Sequence, residues 1–237
     1  MPHEAAFDRF TSTSWSLASR AHGADVATAR ASLLTLCLRY WYPVFAYLRR
    51  SGHAPERASR LAEAFFRDLL RQHGDPQDTR RFGRFRQFLQ AELARFLAAE
   101  PPVEHAEGPL PHPPLGELEA RLSAEDAEER SPEDVLRRGF ALEILASAHR
   151  RLRGEAIDGG RGVMFAELER FLVAEPRVGD YEATAARLQV RPLFVSMAVT
   201  RLRQRFRELV DLELGETLAS AGEFDSERAA LLQVLGG

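Results

Sequence analysis

Apolar residues recur at three- and four-residue spacing along almost the whole chain, the period of an amphipathic helix. Isoleucine is nearly absent, and no alternating run bounded by hairpin turns marks a strand. The pattern predicts a helix over residues 25–40, broken by Pro43, then a short helix through Phe45, Tyr47 and Leu48 that ends near Gly52. Pro55 is well placed to restart the chain as a first helical residue. Leu61, Phe65 and Leu69 follow at four-residue spacing, with Phe66 and Leu70 widening the stripe. After a turn at Gly74-Asp75-Pro76, a further helix carries Phe85, Phe88, Leu89, Leu93, Phe96 and Leu97 on one face.

The pattern changes over residues 101–132, which hold seven of the thirteen prolines and an excess of acids over arginines. Such a stretch predicts a partly extended, self-repelling linker. Ser131-Pro132-Glu133-Asp134 at its end reads as a helix start: a serine cap, proline at the first position and acids in the first turn. That helix is expected to run through Val135, Leu136, Leu142, Leu145 and Leu152, with Arg150, Arg151 and Arg153 at its C-terminal end. Residues 154–162 read as a flexible loop and residues 164–173 as a second helix, halted by Pro176. Residues 181–209 form a short helix, a tight turn and a longer arginine-rich helix, the grammar of a helix-turn-helix. The predicted fold is all-α. An N-terminal extension (1–24) precedes one helical domain (25–100), an acidic proline-rich linker (101–131) and a second helical domain with the helix-turn-helix (132–214). An acidic tail (215–237) ends in a short helix over residues 226–235.

Composition narrows the chemistry. Net charge is −3, so no general basic field holds nucleic acid, and every one of the 32 basic residues is arginine. Without lysine there is no Walker-type phosphate lysine, no Schiff base and no Ser-x-x-Lys nucleophile. Cys37 is alone, which excludes an internal disulfide. The histidines are scattered, and Glu104, His105 and His112 read as solvated linker residues rather than a metal site. Glu125-Asp126 and Glu128-Glu129 read as solvated charge, and Asp158-Gly159-Gly160 as a plain loop with no strand before it. Trp15 reads as a packing anchor. No catalytic constellation, cofactor or metal is expected. The N-terminus lacks an apolar signal core, and the run over residues 31–48 is interrupted by Arg39 and Pro43. These features predict a soluble, cytoplasmic protein with no membrane partner.

The order of several segments resembles a known family. FTSTSWSLASRA (10–21), LCLRYWYPVFAYLRRSGHAPE (36–56), AFFRDLL (64–70), GRFRQFL (83–89), YEATAARLQV (181–190) and MAVTRLRQRFREL (197–209) together are similar to the extracytoplasmic-function class of sigma-70 factors. The resemblance implies a transcription initiation factor. Its first domain would bind RNA polymerase core and the minus-ten element, and its second would bind the minus-thirty-five element of promoter DNA. Three surfaces depart from the family pattern. On the core-docking helix, Arg57 and Arg60 stand where acids are expected, Ala64 replaces the closing acid, and Glu63 remains as a partner-contact candidate. The phenylalanine-rich helix continues into Ala98-Ala99-Glu100-Pro101, which offers no phosphate-neutralising cation. In the turn, Gln189 takes the place of glycine, at a cost of about 1 kcal/mol if its backbone is left-handed.

On a helical wheel, Val195, Val199, Leu202, Phe206 and Leu209 share the core face of the last long helix. Arg201 and Arg205 fall on one flank, and Arg203 and Arg207 on the other. Leu193, Ser196, Met197, Thr200 and Gln204 point outward. The expected DNA contacts are Arg191, Ser196, Thr200, Arg201, Arg203, Gln204, Arg205 and Arg207, with the arginines on phosphates or paired to acids elsewhere. Leu193 and Met197 cannot hydrogen-bond to base edges and equally suit a protein partner. That opens a second reading, a sigma paralogue acting as an interaction module toward an anti-sigma-like protein, another sigma factor or itself.

Overall fold

The computed structural model describes residues 26–72, 83–99, 110, 112–125 and 130–236. The expectations for residues 1–24, for the turn at residues 74–76, and for Glu104, His105, Asp126, Glu128 and Glu129 lie outside them. Among the described residues the protein is all-α, with one isolated antiparallel bridge between Arg84 and Leu218. No helix there is long and apolar enough to cross a membrane. The chain divides into two compact units: Met1–Glu143 with Leu214–Gly237, and Ile144–Glu213.

The first unit contains α1 (Val26–Arg39), α2 (Trp41–Arg50), α3 (Pro55–Gln72), α4 (Phe85–Ala98) and α5 (Leu115–Ala124). It also takes the first part of α6 (Pro132–Asp158) and all of α10 (Phe224–Gly236). The break between α1 and α2 falls at Tyr40 rather than Pro43. Pro43 instead occupies the first turn of α2, where its missing N–H costs nothing and its ring excludes a continuous helix from before. Tyr40, Trp41, Phe45, Phe65, Phe66, Phe85, Phe88 and Phe140 are each less than 2 % exposed. Tyr40 stacks on Phe140 with ring centroids 4.2 Å apart, and Gly139 lets α6 approach close to Pro43. Cys37 lies in the same core, and burial pushes its thiol pKa far up, so it is inert filling.

Two parts of this unit differ from expectation. Within the stretch read as an extended linker, α5 forms and Leu118 is buried. Arg49 meets Glu119 at 2.7 Å, Arg121 lies over the Tyr42 ring and pairs with Glu125 and Glu143, and His112 stacks on Trp41. Those arginines neutralise acids that the linear sequence leaves repelling one another. The acidic C-terminal segment is likewise no free tail. Phe85 donates its backbone N–H to Thr217 O (2.9 Å), and Ala219 donates to Gly83 O (2.8 Å). Glu227, 1 % exposed, accepts from Arg84 at 3.0 Å and from Arg86 at 2.8 and 2.9 Å.

The second unit holds the rest of α6, then α7 (Gly162–Leu168) with a 3₁₀ turn over Glu169–Leu172, α8 (Asp180–Leu188) and most of α9 (Pro192–Gly215). At its start in the first unit, α6 is capped as expected, by Ser131 Oγ on the Asp134 N–H. It then continues past Gly154 to Asp158, so the flexible loop expected over residues 154–162 shrinks to three residues. Termination waits for Gly160 at φ +68°, where Gly160 N donates to Ile157 O and Arg161 N to Ala156 O, a Schellman closure. Two small clusters form the interior, one around Leu168, Phe171, Ala185, Val195 and Val199, the other around Ala148, Leu152, Phe165 and Leu209.

Candidate nucleic-acid interface

The candidate site is built on α8, the turn at residues 189–191, and α9. Asp180 opens α8 by accepting the backbone N–H of Arg177 at 2.7 Å, and Ala185 and Thr184 face inward. The buried Thr184 hydroxyl accepts from Arg170 (2.9 Å) and Arg187 (3.2 Å). Among the described residues, Gln189 is the sole non-glycine with positive φ, at φ 55° and ψ 41°. It stays there because the turn closes back onto the end of α8: Gln189 N donates to Ala186 O (3.3 Å) and Val190 N to Ala185 O (3.0 Å). The left-handed backbone anticipated at this position is present.

Along α9, Val195 (0 %), Val199 (1 %) and Leu209 (0 %) are buried, and Leu202 and Phe206 are half-buried, as the helical wheel requires. The polar positions diverge. Arg205 forms a two-point fork with Glu155 (2.9 and 2.7 Å) and a further bond to Glu208 (2.9 Å). The hydrogen bonds that Arg205 donates to Glu155 hold that carboxyl below the usual carboxylate range and push the guanidinium pKa up. Arg203 is spent on the end of the preceding helical turn, donating to Phe171 O (2.8 Å) and Ala174 O (3.2 Å), with Glu175 beside it. Gln204 donates to Glu208 (3.3 Å), and the Thr200 hydroxyl donates to Ser196 O (3.0 Å). Among the described residues, Arg191, Arg201 and Arg207 have no carboxylate partner, and Arg207 reaches only the Arg203 carbonyl (3.3 Å). The eight expected DNA contacts are therefore unequal. Two arginines are internal struts, and three are open cations.

The outward face is apolar. Leu193 is 71 % exposed, Met197 48 % and Phe194 47 %, with Val190 beside them in the turn. Phe194 was missed by the sequence reading, although 194, 197 and 201 share one stripe at helical spacing. Phe194, Met197 and Arg201 border a recess of about 320 Å³ floored by Leu152, Phe165 and Leu202. In the first unit, Arg57 and Arg60 are exposed on α3, whereas Glu63 is committed to Arg67 (2.7 Å) and to the backbone N–H of Leu110 (3.3 Å). Among the described residues, no group of three or more metal-ligating side chains is gathered. No family model, curated protein or solved structure matches this chain.

Proposed function

We propose that the chain is a sigma-70-like transcription factor of the extracytoplasmic-function type, acting with RNA polymerase core in the cytoplasm, with α8 and α9 as its helix-turn-helix. The observation that carries this reading is the closed turn at Gln189. It ends α8, Val195 and Val199 of α9 pack in one cluster with Ala185, and Arg191, Arg201 and Arg207 stay open for phosphate oxygens. The resemblance of the segments in both units supports it. Arg203 and Arg205 position helices in this reading and leave the DNA-contact set, and Ser196, Thr200 and Gln204 supply whatever polar base reading remains. The direct test is co-elution of the purified chain with core polymerase at low salt. No complex there sinks the proposal. On duplex DNA, Arg201→Ala should lower the log–log salt slope by about one, whereas Arg205→Ala should leave the slope alone.

The exposure of Leu193, Phe194 and Met197 favours a second reading, a sigma paralogue that meets a protein partner through this face and reads no promoter. Leu193→Glu would then abolish self-association or capture of a purified anti-sigma-like regulator while leaving core binding untouched. A monomeric wild type that retains promoter-specific transcription defeats this reading.

A further inference from the structure

Within the first unit, α6 and α10 border a recess of about 440 Å³ whose wall carries Arg86, Arg130, Arg137 and Arg138 against a single acid, Asp134. The four arginines are held in different ways. Arg86 is neutralised by its two bonds to buried Glu227, and Arg137 pairs with Asp134 at 3.2 Å. Arg130 and Arg138 are tied to main-chain oxygens instead. Nη1 of Arg130 donates to Glu125 O (3.2 Å), and Nη1 of Arg138 donates to Val234 O (3.1 Å). A carbonyl oxygen fixes the position of a guanidinium and cancels none of its charge. The recess therefore holds two oriented cations without a carboxylate of their own among the described residues, and Arg137 adds a third, shared with Asp134.

Cations fixed side by side in a partly enclosed space repel one another less once a multiply charged anion stands between them, and the reduced dielectric strengthens that attraction. Guanidinium forks match pairs of phosphate oxygens in geometry, and a phosphoryl chain carries the two or more charges that a single carboxylate lacks. The concavity suits a small anion, because a duplex presents its phosphates along a convex ridge that would meet the rim rather than the wall. Ala230, Leu231 and Val234 line the other side and offer an apolar surface next to the cations.

We propose that this recess binds the oligophosphate group of a small molecule. A bound anion would join Arg130 and Arg137 at the start of α6 to Arg138, which already grips the last turns of α10. Occupancy would thereby stabilise the packing of the C-terminal segment in this unit.

The test is calorimetric titration of the full chain, without divalent ions, with inorganic tripolyphosphate, with ATP and with a short DNA duplex. One small anion per chain is expected. Arg130→Gln and Arg137→Gln should each weaken it about tenfold, as loss of a charge-assisted hydrogen bond does. Arg201→Gln in the second unit should leave it unchanged. Tighter binding of ATP than of tripolyphosphate identifies a nucleotide source, and equal binding identifies recognition of the phosphate chain alone; either outcome supports the site. The proposal is overturned if neither small anion saturates, if Arg201→Gln weakens binding as much as the other two, or if only the duplex binds and responds to Arg130→Gln. Both variants sit at partly exposed side chains, and unchanged far-ultraviolet circular dichroism establishes that they fold.

Discussion

In the first unit, eight aromatic rings are almost wholly enclosed, and Glu227 is sealed in with Arg84 and Arg86. In the second, the interior reduces to two small clusters, the fork of Arg205 on Glu155 lies at the surface, and Leu193, Phe194 and Met197 face outward. The first unit has the aromatic mass of a rigid platform. The second holds α9 in place with side chains that reach across its surface and leaves apolar area exposed that folding does not require. Apolar area of that kind, next to open arginines, is what a binding surface presents.

The contrast can be broken at its strongest point by Phe140→Ala. Removing a ring stacked on Tyr40 should destabilise the first unit by about 3–5 kcal/mol. Trp41 fluorescence reads that loss directly, because residues 144–213 contain no tryptophan. An equal loss of signal from Tyr181 in the second unit at the same denaturant concentration would show that the two units unfold as one.

Glu227→Gln comes next. It leaves Arg86 without its anion and Arg84 with only the longer pairing to Glu223 at 3.8 Å, and a loss of about 3 kcal/mol is expected in urea unfolding. A neutral result would mean that Arg84 and Arg86 turn to water freely and that α10 is held by its apolar residues alone.

Gln189→Gly acts in the opposite direction, stabilising the second unit by about 1 kcal/mol through relief of a left-handed backbone. Glycine's greater freedom in the unfolded chain offsets part of that gain. A lower melting temperature would instead assign the Gln189 side chain a role its backbone does not reveal.

The smallest effect concerns acid. Arg205 depresses the Glu155 pKa, so the folded state binds that proton less readily than the unfolded chain. The stabilisation is complete above the ordinary glutamate range and is lost as pH falls through the lowered folded value. Both side chains are more than a third exposed, so solvent screening keeps the contribution below about 1 kcal/mol. Glu155→Gln should flatten the acid limb of the second unit's stability profile by that amount, and an unchanged limb removes the pair from the account.

What the sequence disclosed follows the range of the forces involved. Local rules were legible: the Ser131 cap, the restart at Pro55, the strained Gln189 and the inward Val195, Val199 and Leu209 all depend on neighbours within a few residues. The features missed depend on distant partners. Proline and acid content masked Leu118 and α5, because Arg49 lies 70 residues from Glu119. Glu227 looked like tail charge until Arg86, 141 residues away, was brought against it. In the candidate site, the faces of α9 were readable from periodicity. The sorting of its arginines into struts and open cations was not, since Glu155 and the Phe171 carbonyl enter only through the fold.

The pairing of Glu227 with Arg84 and Arg86 also sets an order of events during synthesis. The second unit is a continuous segment of 70 residues, 144 to 213, inserted within the sequence of the first. All of its residues emerge before the segment that closes the first unit. The first unit must wait with the start of α4 uncovered while that insert is translated, roughly 4–14 s at ordinary elongation rates. For that interval Phe85 lacks its Thr217 acceptor, and two arginines lack their acid. The nascent chain is thus most exposed to chaperones and proteases at the platform, the part that is best buried once folded.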